Sequence, residues 1–435
     1  MKKYFGTDGI RGIPNQNLNE NLVKKIFAAV EKELKPKSVA VILDTRKSSN
    51  EILEWITKGF TEIVQVVNYG ILPSGSMPII LKEFHHDLGI IISASHNPSE
   101  YNGIKLINKD GSKFSDELEI KIEESSETIS LPKATTKHKD SELGYQAYLN
   151  FLKTELNFDL SNFRLVIDTA NGSAYKIIDE LFSFNNSKYR LLANTPDGLN
   201  INENCGATHL NYLSNSLNKD ELGAAFDGDA DRLILVDEEG SICNGDVIIL
   251  LIAKYFSAIN QLKNNIVVST VMSNFGFKQS MKNNNFNNIE TNVGDKYVAE
   301  SMLENNASIG GEQSGHIIIS DVLPVGDGLV SLIYCLKALT FFNTTLKDFK
   351  NNNIKEYPQQ LKNLKLNTQA TSEQLSDLNI IADKLTKEMQ LDGRYLIRNS
   401  GTEPVLRILV EAKTDQDLND FMNQLIKKIE SYLNS

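Results

Sequence analysis

The chain has 435 residues, 41% of them hydrophobic and 23% charged, with a formal net charge of -11; that is length for about three or four buried cores, in a field that opposes a nonspecific grip on nucleic acid. No apolar signal core follows the lysines at the start, and the longest apolar run, 247–253, falls far short of the roughly 20 residues of a membrane span. Three scattered cysteines, Cys205, Cys243 and Cys335, suit neither a disulfide framework nor a zinc site, so a cytoplasmic protein with no nucleic-acid and no membrane partner is expected.

In chain order, Leu22, Ile26, Phe27, Val30 and Leu34 recur at helical spacing up to Pro36, and a β-rich run, 39–43, follows. The alternation continues with runs at 88–92, 164–167, 174–182 and 266–268, which predicts mixed α/β layers. Strands ending Leu43-Asp44-Thr45, Ile167-Asp168-Thr169 and Phe226-Asp227-Gly228 hint at a repeated unit. The polar stretches 123–143 and 343–372 lack periodicity and are expected as connectors, and the asparagine run 283–288 as a solvated loop. Beyond them the pattern reads strand (395–398), loop (399–404), strand (406–410) and amphipathic helix (415–433). The fold class is therefore α/β: three similar mixed α/β domains, 1–140, 141–245 and 246–355, followed by a smaller α+β C-terminal domain, 356–435.

Two segments carry chemistry. In Ile91-Ile92-Ser93-Ala94-Ser95-His96-Asn97-Pro98 an apolar strand runs into a small-residue turn that can present a hydroxyl, although alone such a turn is more often structural. In Ala225-Phe226-Asp227-Gly228-Asp229-Ala230-Asp231-Arg232 three carboxylates alternate directly after a strand. An EF-hand is excluded because no glutamate stands at its twelfth position and a strand follows where a helix is required. So much like charge in one loop favours an oxygen-liganded cation, magnesium or calcium, over a solvated turn.

These two segments, with Phe5-Gly6-Thr7-Asp8-Gly9-Ile10-Arg11-Gly12, Gly311-Glu312-Gln313-Ser314-Gly315-His316 and Arg398-Asn399-Ser400-Gly401-Thr402-Glu403-Pro404, resemble the α-D-phosphohexomutase superfamily, and within it the bacterial phosphoglucosamine mutases. The resemblance spans nearly the whole chain in five ordered motifs. It implies a phosphoserine at Ser95, with Mg2+ held by Ser95, Asp227, Asp229 and Asp231. It further implies Lys105, His316 and Arg11 as catalytic groups, Glu312 and Ser314 on sugar hydroxyls, and Arg398, Ser400, Gly401, Thr402 and Arg407 on the other phosphate. A stored phosphoryl group needs such neutralisation, because the serine hydroxyl is a weak nucleophile and the transferring group is highly charged.

The implied reaction interconverts glucosamine 6-phosphate and glucosamine 1-phosphate through glucosamine 1,6-bisphosphate, feeding UDP-N-acetylglucosamine and cell-wall synthesis. The implied partner is a hexosamine phosphate, and a homodimer stays open. Glucosamine is chosen on resemblance alone, carried by Gln313 in its turn, the opening 5–12, residues 196–202 and 204–208, 271–274 and 293–297; phosphomannomutase/phosphoglucomutase and a noncatalytic sugar-phosphate sensor remain the alternatives. Tyr101 stands where the family commonly has aspartate, and Pro73-Ser74-Gly75-Ser76-Met77-Pro78 replaces a more usual Pro-Thr-Pro turn. Neither departure is expected to touch a catalytic group.

Overall fold

A strand that is apolar at every position needs neighbours on both edges and cover on both faces, and Leu88–Ile92, buried throughout, has them. In the structure, a computed structural model describing residues 2–6, 8–184, 187–400 and 404–433, it runs parallel to Ser38–Leu43 on one side and antiparallel to Asn102–Asn108 on the other. The full sheet has the order Phe5–Gly6, Gly9–Gly12, Asn102–Asn108, Leu88–Ile92, Ser38–Leu43, Gln65–Ile71, His138–Asp140. Helix Glu20–Leu34 starts where the Asn19 side chain accepts the Leu22 N–H, and it buries Val23, Ile26, Phe27 and Val30 in a core shared with Ile52, Ile56 and Phe60. Each such side chain contributes about 1.5–3 kcal/mol by leaving water.

Two further sheets repeat the plan. In the second, Leu222–Phe226 is again buried throughout, parallel to Arg164–Asp168 and antiparallel to Leu233–Val236. In the third, Ile266–Thr270 lies parallel to both Asn287–Thr291 and Ile309–Gly311, and Ile309–Gly311 turns back antiparallel to Ile317–Ile319. Ser95, Asp227 and Glu312 therefore each stand just past the carboxyl end of a central strand, where open α/β sheets bind ligands. The long apolar run is helix Gly245–Ala258, buried from Gly245 to Ala253. Among the described residues no single helix is long and apolar enough to cross a membrane; one pair bent by 79° at its break, Gly328–Phe342 with Leu346–Asn353, passes by length and composition only.

By compactness the chain forms two units, residues 1–272 with 286–352, and residues 273–285 with 353–435. The first holds the three sheets above. The second has a three-stranded antiparallel sheet, Gln359–Lys365, Val405–Ala412, Gly393–Asn399, with helices Ser372–Met389 and Asp415–Leu433 burying Leu378, Leu385, Phe421 and Leu425 against Ile408 and Val410. The α/β class with a smaller C-terminal α+β domain is thus what the chain adopts.

The expected connectors contain elements that periodicity hides. Helix Asp116–Thr128 runs into 123–143 because its buried face carries Glu119, Glu123 and Ser126 beside Ile122. Glu123 is buried to accept the backbone N–H groups of Lys3, Tyr4 and Phe5 at 2.6, 2.6 and 2.7 Å, which anchors the N-terminal strand. In 343–372, helix Leu346–Asn353 and the largely exposed edge strand Gln359–Lys365 form, and the asparagine run ends inside strand Asn287–Thr291.

Candidate active site

Ser95 occupies the left-handed region, φ 51°, a conformation a non-glycine residue holds only when its surroundings fix it. Its N–H reaches Ser93 Oγ at 2.9 Å, Ser93 Oγ donates to Asp44 Oδ2 at 2.7 Å, and Ser95 Oγ donates to Asp227 Oδ2 at 2.6 Å. The serine turn of the first sheet and the aspartate loop of the second therefore meet.

Asp227, Asp229 and Asp231 are buried and bring one carboxylate oxygen each within 4.8 Å of one another. Asp229 Oδ1 and Asp231 Oδ1 are buried without a hydrogen-bond partner. An all-oxygen set with orphaned acceptors fits a hard divalent cation. Burial, then the charges of Asp231 and Asp229, push the Asp227 carboxyl well above its ordinary value. Burial alone would raise Asp231 too, but Lys105 and His316 hold it well below.

Lys105, on strand Asn102–Asn108, places Nζ 2.8 Å from Asp229 Oδ2, 3.1 Å from Asp231 Oδ2 and 3.0 Å from Asp8 Oδ2. Burial works against its charge, but the three carboxylates outweigh this and raise it well above the usual lysine range. His316 lies between Asp231, 3.7 Å from Nδ1, and Asp295, 3.3 Å from Nε2. Burial would lower its value; Asp295 and Asp231 lift it to about 9, so the ring is protonated at neutral pH. Arg11 pairs with Asp8 and reaches Asn97 Oδ1 at 3.3 Å, while its Nε is buried without a partner. Glu312 Oε1 accepts the Gly294 N–H at 2.9 Å and its Oε2 accepts from Ser314 Oγ at 3.3 Å, in a turn tied to the second sheet by Leu233 N–H to Gly315 O at 2.9 Å.

In the second unit, Arg398 and Arg407 stand opposite each other on adjacent antiparallel strands. Like charges so placed repel, and burial, then Arg407, lower Arg398. Ser400 takes the Val405 carbonyl on its N–H at 2.7 Å and lies 3.5 Å from Arg407. Gly401 and Thr402 fall outside the described residues.

Several members of this cluster carried no assignment in sequence. Lys113 bridges Asp8 and Asp295, 2.5 Å from each, and Arg232 is half-buried beside Asp227, whose Oδ1 accepts its backbone N–H at 3.1 Å. Asp8, Asp295 and Arg232 lie in motifs already singled out, so the signal was there; Lys113 had none. The expectation that the Pro73-Ser74-Gly75 departure touches no catalytic group is corrected: Ser74 Oγ donates to Asp229 Oδ2 at 2.8 Å, because that turn packs against the aspartate loop.

The sequence matches the phosphoglucomutase/phosphomannomutase α/β/α domains I, II and III over residues 2–133, 146–240 and 244–357, and the C-terminal domain of the same family over 361–428. It is 38% identical over 442 residues to a phosphoglucosamine mutase of Limosilactobacillus reuteri, covering 97% of each chain. Its fold resembles a phosphoglucomutase/phosphomannomutase family protein from Burkholderia thailandensis (TM-score 0.80, 22% identity, 99% and 98% of the two chains). It also resembles Aspergillus fumigatus N-acetylphosphoglucosamine mutase in complex with GlcNAc-6P and magnesium (TM-score 0.70, 17% identity, 98% and 95%). With all four domain matches in order and a full-length relative at this identity, the chain belongs to the phosphoglucomutase/phosphomannomutase family.

Proposed function

We infer that this chain is a phosphoglucosamine mutase, an isomerase that interconverts glucosamine 6-phosphate and glucosamine 1-phosphate through a phosphoserine at Ser95. The observation that carries the reading is the 2.6 Å contact from Ser95 Oγ to a buried aspartate triad with two orphaned carboxylate oxygens, and the full-length relative supports the substrate. Four domains near 1–140, 141–245, 246–355 and 356–435 divide the labour.

Asp227, Asp229 and Asp231, with an oxygen on Ser95, are the ligands we assign to Mg2+. Bound there, the ion supplies charge neutralisation for the transferring phosphoryl group. Ser95 carries the phosphoryl group and passes it to the free hydroxyl of a hexosamine monophosphate. The resulting glucosamine 1,6-bisphosphate then turns around and returns its other phosphate to Ser95. Lys105, fixed by three carboxylates, steadies charge at the serine, and Arg11, anchored by Asp8, adds a guanidinium to the same shell. His316, held protonated, can exchange a proton with the reacting sugar hydroxyl. Glu312 and Ser314 accept and donate to sugar hydroxyls, while Arg398, Ser400, Gly401, Thr402 and Arg407 take the phosphate that is not reacting. The repelling arginine pair supports that role, since an anion between two guanidinium groups relieves their repulsion.

Coupled assays with Mg2+ and a hexose bisphosphate primer test the substrate. The highest kcat/KM is expected on glucosamine 1-phosphate; preference for mannose or glucose 1-phosphate would make the chain a phosphomannomutase/phosphoglucomutase, and no turnover of any would favour the sugar-phosphate sensor.

A further inference from the structure

Arg46 follows strand Ser38–Leu43, whose end pairs with the end of Leu88–Ile92, so it begins beside the serine turn. It is 2% exposed, and every one of its guanidinium N–H donors has a target. Nε donates to Asp44 Oδ2 at 2.9 Å, Nη2 to Ser95 O at 3.0 Å and Asn97 O at 2.7 Å, and Nη1 to Tyr101 O at 2.9 Å and to Pro98 O. Four of the five targets thus lie in the turn that begins at Ser95. The fifth, Asp44, holds Ser93 Oγ, which in turn holds the Ser95 N–H, closing a ring of bonds around the residue. From the second sheet's side, Asn202 Nδ2 donates to two of the same carbonyls, Ser95 O at 2.9 Å and Asn97 O at 3.0 Å.

A buried guanidinium is expensive, and apolar packing usually serves stability as well or better. A planar fork of fixed donors does something apolar packing cannot: it sets the directions of several carbonyls at once. That is what the left-handed φ at Ser95 requires, because the strained conformation must be imposed from outside.

We propose that Arg46 is the positioning residue of the nucleophile, its five bonds fixing the turn so that Ser95 Oγ points at the Asp227 carboxylate. The proposal rests on the reading of Ser95 as phosphoryl carrier. Lysine cannot replace it: with three donors it serves at most three of the five acceptors. Asn202 is the second clamp, acting on carbonyls that Arg46 already holds.

The test uses the full-length chain as R46K and R46A, with Mg2+, glucosamine 1-phosphate and a hexose bisphosphate primer, reading kcat and KM separately and the phosphate on residue 95 by peptide mass. Displacing a reacting group by about 1 Å can cost about 100-fold, so kcat of R46K is expected to fall by about 100-fold with KM unchanged. Guanidinium chloride at millimolar concentration is expected to restore part of the R46A rate, entering from a cavity of about 680 Å³ lined in part by Asp44, Arg46 and Ser49. A purely structural arginine would change the unfolding midpoint without that kcat-only loss or rescue. Should R46A fail to fold, R46K decides alone. Wild-type kcat in R46K, or equal changes in kcat and KM, overturns the proposal while Ser95 is still found phosphorylated. Full wild-type turnover with residue 95 never phosphorylated removes the underlying reading instead, and the proposal with it.

Discussion

Replacing Lys105 by methionine keeps an unbranched stem of similar length and deletes the ammonium that lies 2.8, 3.0 and 3.1 Å from Asp229, Asp8 and Asp231. A charge pair at about 4 Å with an effective dielectric near 20 is worth about 4 kcal/mol. After desolvation, deleting one partner of a buried pair nets about 3–5 kcal/mol of destabilisation. Lysine's folded value is raised, so its stabilisation is present below the unfolded lysine value and lost only as pH rises through the higher folded one. At neutral pH the full loss is therefore expected. Urea unfolding in chelator should show K105M destabilised by that amount. Added Mg2+ should then raise the variant's midpoint more than the wild type's, because the triad has lost its internal cation and binds the ion more tightly. Equal midpoints in chelator, or equal stabilisation by Mg2+, would refute this account of how the triad is held in charge balance.

Ser74→Ala removes one donor from Asp229, and a carboxylate left short of a partner in a buried site costs about 1–3 kcal/mol; urea unfolding in chelator should show the variant destabilised by that amount at unchanged secondary structure, and an unchanged midpoint would speak against the contact. Arg407→Ala should raise KM by more than it lowers kcat, since the grip on the distant phosphate is made in ground and transition states alike; a kcat-only loss in steady-state assays would speak against that role. Asp327 caps helix Gly328–Phe342 and accepts the Tyr148 hydroxyl at 2.6 Å, and burial raises its carboxyl to about 6. A carboxyl raised on folding binds more protons in the folded state, so stability falls as pH rises from its unfolded value near 4 through 6. Asp327→Asn removes this term, and the stability of the variant relative to wild type should rise by about 3 kcal/mol across that window in denaturant titrations. A flat difference would contradict the shift.

What the sequence reveals of the site follows from how local each part is. Ser95, the three aspartates and the 311–316 turn sit in contiguous motifs at strand ends, and the structure brings the serine turn and the aspartate loop into hydrogen-bond contact. Lys113 was illegible, because its role exists only where the chain returns it between Asp8 and Asp295, residues 105 and 182 positions away. Arg46 was hidden for a similar reason: four of its five partners are backbone carbonyls, which leave no trace in side-chain pattern. Helix Asp116–Thr128 escaped periodicity because a carboxylate, Glu123, occupies a core position, and strand Gln359–Lys365 because an exposed edge strand has no buried face to alternate.

The most direct test of the mechanism is transfer of label. The chain is incubated with Mg2+ and a hexose bisphosphate carrying labelled phosphate, digested, and its peptides mapped before and after a chase with glucosamine 6-phosphate. Label confined to Ser95 and removed by the chase into a sugar bisphosphate is the expected result. Label on another residue, or label on Ser95 that the sugar phosphate cannot remove, would contradict a serine-borne phosphoryl group as the reacting species.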